Sequence, residues 1–287
     1  MDLLQDPFMV RALIAAGLVG LTAPAIGTYL VQRRQAVMGD GLGHVAMTGV
    51  ALGFVLHTSP VWMATLVAVI GAIAMEMIRA RGKTSGDVAL AMLFYGGLAG
   101  GVMIINVGGG TTAMLLGSMF GSITTVSASD VVAMVILAVF VLSVTVGLRR
   151  QFFAVCQDEE FARVTGLPVR ALNLLIAITA AVTVTVAMRI VGLLLVSAMM
   201  VIPVAAAQRL TRGFAATLGL GMAISLTVAL TGTTATYYLD APSGATIVLL
   251  AIAVFMAMTA LSAPLARRRA RAALAAEEVC TGDDVKV

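Results

Sequence analysis

The chain is a succession of apolar runs, each about as long as a bilayer core is thick, and most of them close on arginine. An α-helix needs roughly 20 consecutive apolar residues to cross that core. Such runs lie at 8–31, 38–56, 61–78, 88–107, 131–148, 172–188, 190–207, 214–238 and 245–265. A weaker segment, 111–129, is rich in Gly, Ser and Thr and reads as a loop, an interfacial helix or a partial re-entry. Only helices and closed barrels satisfy their backbone in lipid, and barrel strands alternate in polarity over short segments instead of running continuously apolar. The pattern therefore predicts an all-α polytopic membrane protein with about nine spans, or eight if two weaker runs form one broken helix. Composition agrees: 11% of 287 residues are charged, too few to cover a soluble surface of that size.

The basic residues mark topology. A net charge of +4 invites a nucleic-acid reading, but all 18 Lys and Arg residues except Arg11 and Arg189 fall on one side if the N-terminus is outside. This bias predicts an odd number of crossings, a cytoplasmic C-terminus and no nucleic-acid partner. Asp2 and Asp6 stand where a cleavable signal carries positive charge, so no such signal is expected. The layout implies one transmembrane domain over 1–271 and a polar cytoplasmic tail over 272–287. Cys156 and Cys280 both fall on the cytoplasmic side, where a structural disulfide is not expected.

A few polar residues interrupt this apolar frame. Asp40 and His44 are four apart at the start of the second run, so on a helix they share a face. An ionisable residue inside a span costs about 2.5–3.5 kcal/mol and marks a pathway or a partner; at the lipid–water boundary beside Arg33 and Arg34 neither residue costs much. Residue chemistry alone leaves both readings open. Arg189, between the sixth and seventh runs, reads as a snorkelling boundary residue or as part of an outer mouth. Glu76 and Asp87 read as helix-end carboxylates within reach of Arg79, Arg81 or Lys83. Four glycine pairs (49/53, 96/100, 97/101 and 117/121) have the spacing of close helix packing, and the methionines read as packing as well. The longest polar connection, 151–170, contains a short helix begun by Asp158-Glu159-Glu160 and ended by Gly166 and Pro168. Its three acids and Arg163 suit docking to a charged partner.

Several chemistries are absent. Gly82-Lys83-Thr84 resembles the end of a phosphate-binding loop, but Met77 stands where the motif needs glycine. The two histidines, His44 and His57, stand 13 positions apart, and no His-Glu-x-x-His motif of a zinc protease is present. Ser197 and Ser225 have only His44 as a base and no Gly-x-Ser-x-Gly frame, so a membrane-embedded hydrolase is the remotest reading.

Four segments, in order, resemble the zinc/manganese ABC importer permeases (the ABC-3 family). They are Arg33-Arg34-Gln35-Ala36-Val37-Met38-Gly39-Asp40 through His44 to Gly53, the loop from Asp158 to Leu167, Arg189-Ile190-Val191-Gly192 through Ala205, and Asp240-Ala241-Pro242-Ser243-Gly244. The resemblance implies an importer permease of the type II kind in the cell membrane. It implies a homodimer, two cytoplasmic ATP-binding subunits that alone hydrolyse ATP, and an extracytoplasmic metal-binding protein. It carries Asp40 and His44 over as metal contacts of the translocation path, with transported Zn(II), or Mn(II), and no permanently bound cofactor. Asp158, Glu159, Glu160, Arg163 and Gly166 then couple to the ATPase, and Arg189 lies at the outer mouth. A Mn(II) or Fe(II) importer and a permease for a chelated metal or vitamin are the alternatives within transport. Gly43 departs from the family, which commonly has a small polar residue before the His, and is expected to loosen the helix locally.

Overall fold

The computed structural model describes residues 7–81, 86–111, 113, 117, 119, 121, 126–239 and 242–261. Gly82-Lys83-Thr84, the Asp87 side chain, most of the 111–129 segment, Asp240-Ala241, the end of the last run and the 272–287 tail with Cys280 lie outside them. The described residues are helical and contain no strand. In chain order the helices are α1 (Pro7–Gln32), α2 (Met38–Val55), α3 (Pro60–Ala80), α4 (Gly86–Val107), α5 (Ala128–Gly147), α6 (Arg149–Gln157), α7 (Glu159–Val164), α8 (Val169–Val191), α9 (Leu193–Leu210), α10 (Phe214–Leu239) and α11 (Ser243–Leu261).

Eight of these are long and apolar enough to cross a membrane: α1, α3, α4, α5, α8, α9, α10 and α11. The exception among the long helices is α2, whose glycines, Asp40 and His44 dilute its apolar run. It is nevertheless deeply packed, against α3, α4, α8 and α9. Helices α1 and α8 are buried along most of their length, whereas α3, α4, α5 and α11 turn most of theirs outward. Exposed Leu66, Ile70, Val132, Val139, Leu249 and Met256 are what a lipid-facing surface requires.

Two boundaries differ from the sequence expectation. Arg189 does not separate the sixth and seventh spans; it lies in the last turn of α8, and the break falls at Gly192, whose φ of 87° ends the helix. Arginine is a good helix former, whereas only glycine takes that backbone angle without strain. The 151–170 connection holds a further helix, α6, which buries Phe152 and Val155. The Phe152 ring meets Tyr29 edge-on at 5.2 Å, Phe153 packs on Phe214 at 5.0 Å, and the Tyr29 hydroxyl donates to the Thr145 carbonyl at 2.6 Å. The polar connection is thus bolted to the end of the bundle.

Hydroxyls within the spans mostly bond to carbonyls one turn back, as do Thr22, Thr28, Thr179, Thr183 and Thr233. Buried side-chain atoms that find no hydrogen bond include Gln35 Oε1, His44 Nδ1, Asn173 Oδ1 and Ser197 Oγ.

Candidate functional site

Helix α2 opens with Gly39, Gly41 and Gly43 flanking Asp40 and His44. Glycine within a helix costs about 0.5–1 kcal/mol relative to alanine, and here neighbours fill the space a side chain would take. A Cβ on Gly39 would meet Met200 Sδ at 2.9 Å, one on Gly41 would meet Leu93 at 3.4 Å, and one on Gly43 would overlap Leu193. The helix runs unbroken through Gly43, so the loosening expected there does not occur; Leu193 of α9 seats against it. From the other side α4 presses Gly97 onto α2, where a Cβ would come within 2.5 Å of the Val45 nitrogen and 2.9 Å of the His44 oxygen. Thr48 donates to the Gly97 carbonyl at 2.6 Å beside this contact.

These contacts set the depth of the pair. Gly97 is near the middle of α4, and Gly71, against Val45, is near the middle of α3. His44 therefore lies roughly 15 Å from either end of both helices, far from the boundary that Arg33 and Arg34 implied in sequence.

His44 is 4% exposed, with the Phe94 ring edge-on at 4.3 Å. Its Nε2 stands 4.0 Å from Asp40 Oδ2, too long for a hydrogen bond, and its Nδ1 has no partner. A cation held by both groups at about 2.1 Å in tetrahedral geometry would bring them to about 3.4 Å, a small side-chain adjustment. Among the described residues no cluster of three His, Cys, Asp or Glu exists, so one chain offers this site two ligands. Ser197, on the same face of α9 as Leu193 and Met200, also carries a buried hydroxyl without a partner. In sequence Ser197 stands out only as a nucleophile for the remote hydrolase reading, not as a neighbour of this pair.

At the α6–α7 end, Asp158 caps α7 by accepting from the Glu160 and Phe161 nitrogens at 2.9 and 3.0 Å. Gly166, at φ 83°, closes the helix: its nitrogen donates to the Arg163 carbonyl and that of Leu167 to the Ala162 carbonyl. These caps turn Glu160, Phe161, Arg163 and Val164 outward, with Phe161 63% and Val164 86% exposed. Phe161 and Val164 were silent in sequence because an apolar residue in a short helix looks like core. Glu159 turns inward, to Arg79 at 2.6 Å, Arg33 at 3.3 Å and Asn173 at 3.2 Å. Glu76 completes the cluster through Arg79 at 2.9 Å, the helix-end pairing its position implied. Burial alone would raise the Glu159 carboxyl; the Arg79 hydrogen bond and the charges of Arg79 and Arg33 outweigh it and hold it below its ordinary value.

At the opposite end of the bundle, Arg189 Nη2 lies 3.6 Å from Asp130 Oδ1. Helix α5 runs from Asp130 toward α6, and α8 runs from α7 toward Arg189, so this pair and α7 lie at opposite faces. Asp130 also forms a reciprocal cap with Ser127.

Comparison with known proteins agrees with this architecture. The chain is 31% identical to a probable metal transport system membrane protein of Treponema pallidum, over 91% of this chain and 97% of the relative. It is 30% identical to the manganese transport system membrane protein MntC of Halalkalibacterium halodurans, over 88% and 87%. It is 25% identical to the high-affinity zinc uptake system membrane protein ZnuB of Haemophilus influenzae, over 85% and 94%. Among solved structures, PsaBC from Streptococcus pneumoniae in complex with Fab superposes with a TM-score of 0.79 at 26% identity, covering 90% of this chain and 92% of that one. The ABC 3 transport family model matches residues 5–262, and the chain belongs to that family.

Proposed function

We propose that the chain is the membrane permease of an ATP-driven importer of a divalent transition metal, Zn(II) in the first instance, which passes Asp40 and His44. The observation that carries this reading is the mid-height imidazole with an unpartnered nitrogen beside a carboxylate. A buried imidazole without a hydrogen bond to the half-exposed carboxylate beside it is costly unless something else completes it. Two ligands are too few for a closed zinc site, which takes four. A two-fold homodimer brings the same patch of both subunits to one axis, so two copies supply two imidazoles and two carboxylates. A transport path needs moderate affinity, since the ion must leave again.

Mn(II) is the second reading: carboxylate oxygen suits manganese, imidazole suits zinc, and the site offers both equally. Relatives named for each metal resemble this chain to similar degrees. In the proposed assembly α7 meets one of two cytoplasmic ATPase subunits, Arg189 lies at the outer mouth facing a metal-binding protein, and the N-terminus is outside. ATP hydrolysis belongs to the separate subunits. The test is accumulation of zinc and of manganese in cells expressing wild-type protein or a well-expressed Asp40→Ala/His44→Ala double variant. Loss of uptake of one metal identifies the cargo; undiminished uptake of both sinks the assignment.

A further inference from the structure

Glu159 is the meeting point of three elements. Its Oε1 alone accepts from Arg79 of α3 at 2.6 Å, from Asn173 of α8 at 3.2 Å and from Arg33 of the α1–α2 elbow at 3.3 Å. Arg33 has one other acidic neighbour, Glu76 at 3.8 Å, and its side chain is only 4% exposed. Two arginines and two glutamates make a neutral cluster whose most exposed side chain, at 34%, is Glu159. That carboxylate borders a cavity of about 340 Å³ also lined by Arg163 and Arg170. It therefore has room to leave the cluster, and other cations to meet when it does.

The far end of this contact is the elbow that begins α2. Gln35 donates its backbone N–H to the Leu30 carbonyl, Met38 to Gln35, and Gly41 to Val37, so backbone hydrogen bonds tie the elbow both to the end of α1 and to the start of α2. Arg34, at φ 58°, holds the turn in a backbone conformation that non-glycine residues seldom adopt. Beyond the elbow, Gly39, Gly41 and Gly43 of α2 receive the Met200, Leu93 and Leu193 side chains of α9 and α4, so α2 is seated between those two helices. A displacement of α7 that pulls on Arg33 thus acts on the helix that carries Asp40 and His44.

We propose that Glu159 is a positioning residue that links α7 to α2 through Arg33, so that ATPase-driven movement of α7 shifts the ligand pair. This rests on the functional reading above and reassigns Glu159 from ATPase docking to transmission within the permease. The physical content is a two-state contact, with Glu159 either in the Arg79–Arg33 cluster or released into the cavity.

The test uses the full complex of permease, ATPase and metal-binding protein in vesicles, with zinc and manganese supplied separately. ATPase co-purification, ATP hydrolysis and metal uptake are measured for wild type, Glu159→Gln and Glu159→Asp. The Gln variant should retain the ATPase and hydrolyse ATP, while metal moved per ATP falls roughly tenfold. The Asp variant, charged but too short to reach all three donors, should fall between the two. Spin labels at the exposed positions Val37 and Thr165 should show a nucleotide-driven change of distance in wild type that Glu159→Gln abolishes, which a role in folding alone would leave intact. A wild-type ratio of metal to ATP in Glu159→Gln overturns the proposal. So does loss of ATPase binding in that variant with a wild-type ratio in Glu159→Asp. If the wild-type complex moves neither metal, the functional reading falls instead.

Discussion

An imidazole at the mid-height of a helical bundle, with one nitrogen unpartnered, is a demanding residue to keep unless a ligand completes it. His44→Ala and Asp40→Ala should each abolish metal uptake while expression and dimer formation stay near normal, because each change removes two ligands from the proposed two-fold site. Asp40→Asn keeps the shape and loses the charge a dication needs in a low-dielectric path, so isotope uptake should fall almost as far. The carboxyl of Glu159 behaves differently toward acid. Its value is depressed in the folded protein, so its stabilising contribution is complete above the ordinary glutamate range, about pH 4.3, and is lost only as pH falls through the depressed value. Thermal unfolding of Glu159→Gln compared with wild type should therefore show a constant difference from pH 8 to roughly pH 5 and a shrinking one below that.

At the level of elements, the decisive contact is α2 against α4, built on glycine. Gly96 and Gly97 are adjacent and belong to equivalent spacing patterns, yet their surroundings are opposite: a Cβ on Gly97 strikes the α2 backbone, and one on Gly96 meets nothing within 4 Å. Gly97→Ala should destabilise the protein by about 1–3 kcal/mol through overpacking, whereas Gly96→Ala, with open space around it, should raise stability by about 0.5–1 kcal/mol and lift the melting temperature in detergent slightly. Helix α7 carries a different prediction. Its outward Phe161 and Val164 form an apolar patch beside Arg163 at the end of the bundle proposed to face the cytoplasm. Replacing both with serine should weaken ATPase co-purification by roughly tenfold or more while the monomer fold, held by Phe152 and Ala162 beneath, persists.

For the whole molecule, the proposed orientation puts the α6–α7 end in the cytoplasm, and it is open to a direct test. Among the described residues the arginines other than Arg11 and Arg189 lie at the α6–α7 end or in the turns beside it. A cysteine at position 189 should react with an impermeant reagent applied outside intact cells, and a cysteine at position 164 should react only after the membrane is opened. Cys156 gives little background in such an experiment: it is partly buried, and burial pushes its thiol up to about 12. Labelling at 164 from outside would invert the topology.

The apolar runs and their arginine ends were enough, without tertiary structure, to establish an all-helical membrane protein. Run length is set by bilayer thickness and the sidedness of charge by insertion, and both are local or additive properties of sequence. Asp40 and His44 were legible for a similar reason, since helical periodicity alone puts them on one face. Their depth was not. It depends on which residues of α3 and α4 lie against α2, and that register is written in side-chain volume, in glycines that admit a neighbour's backbone. The inward turn of Glu159 was equally hidden among three consecutive acids, because only the docking of α7 on α3 and α8 brings Arg33, Arg79 and Asn173 to one oxygen. Two of those partners lie 80 and 126 positions away, and no local pattern encodes such a meeting. Sequence determined which residues are costly in a membrane; the packed bundle decided which of them offset one another and which, like His44, were left waiting for something else.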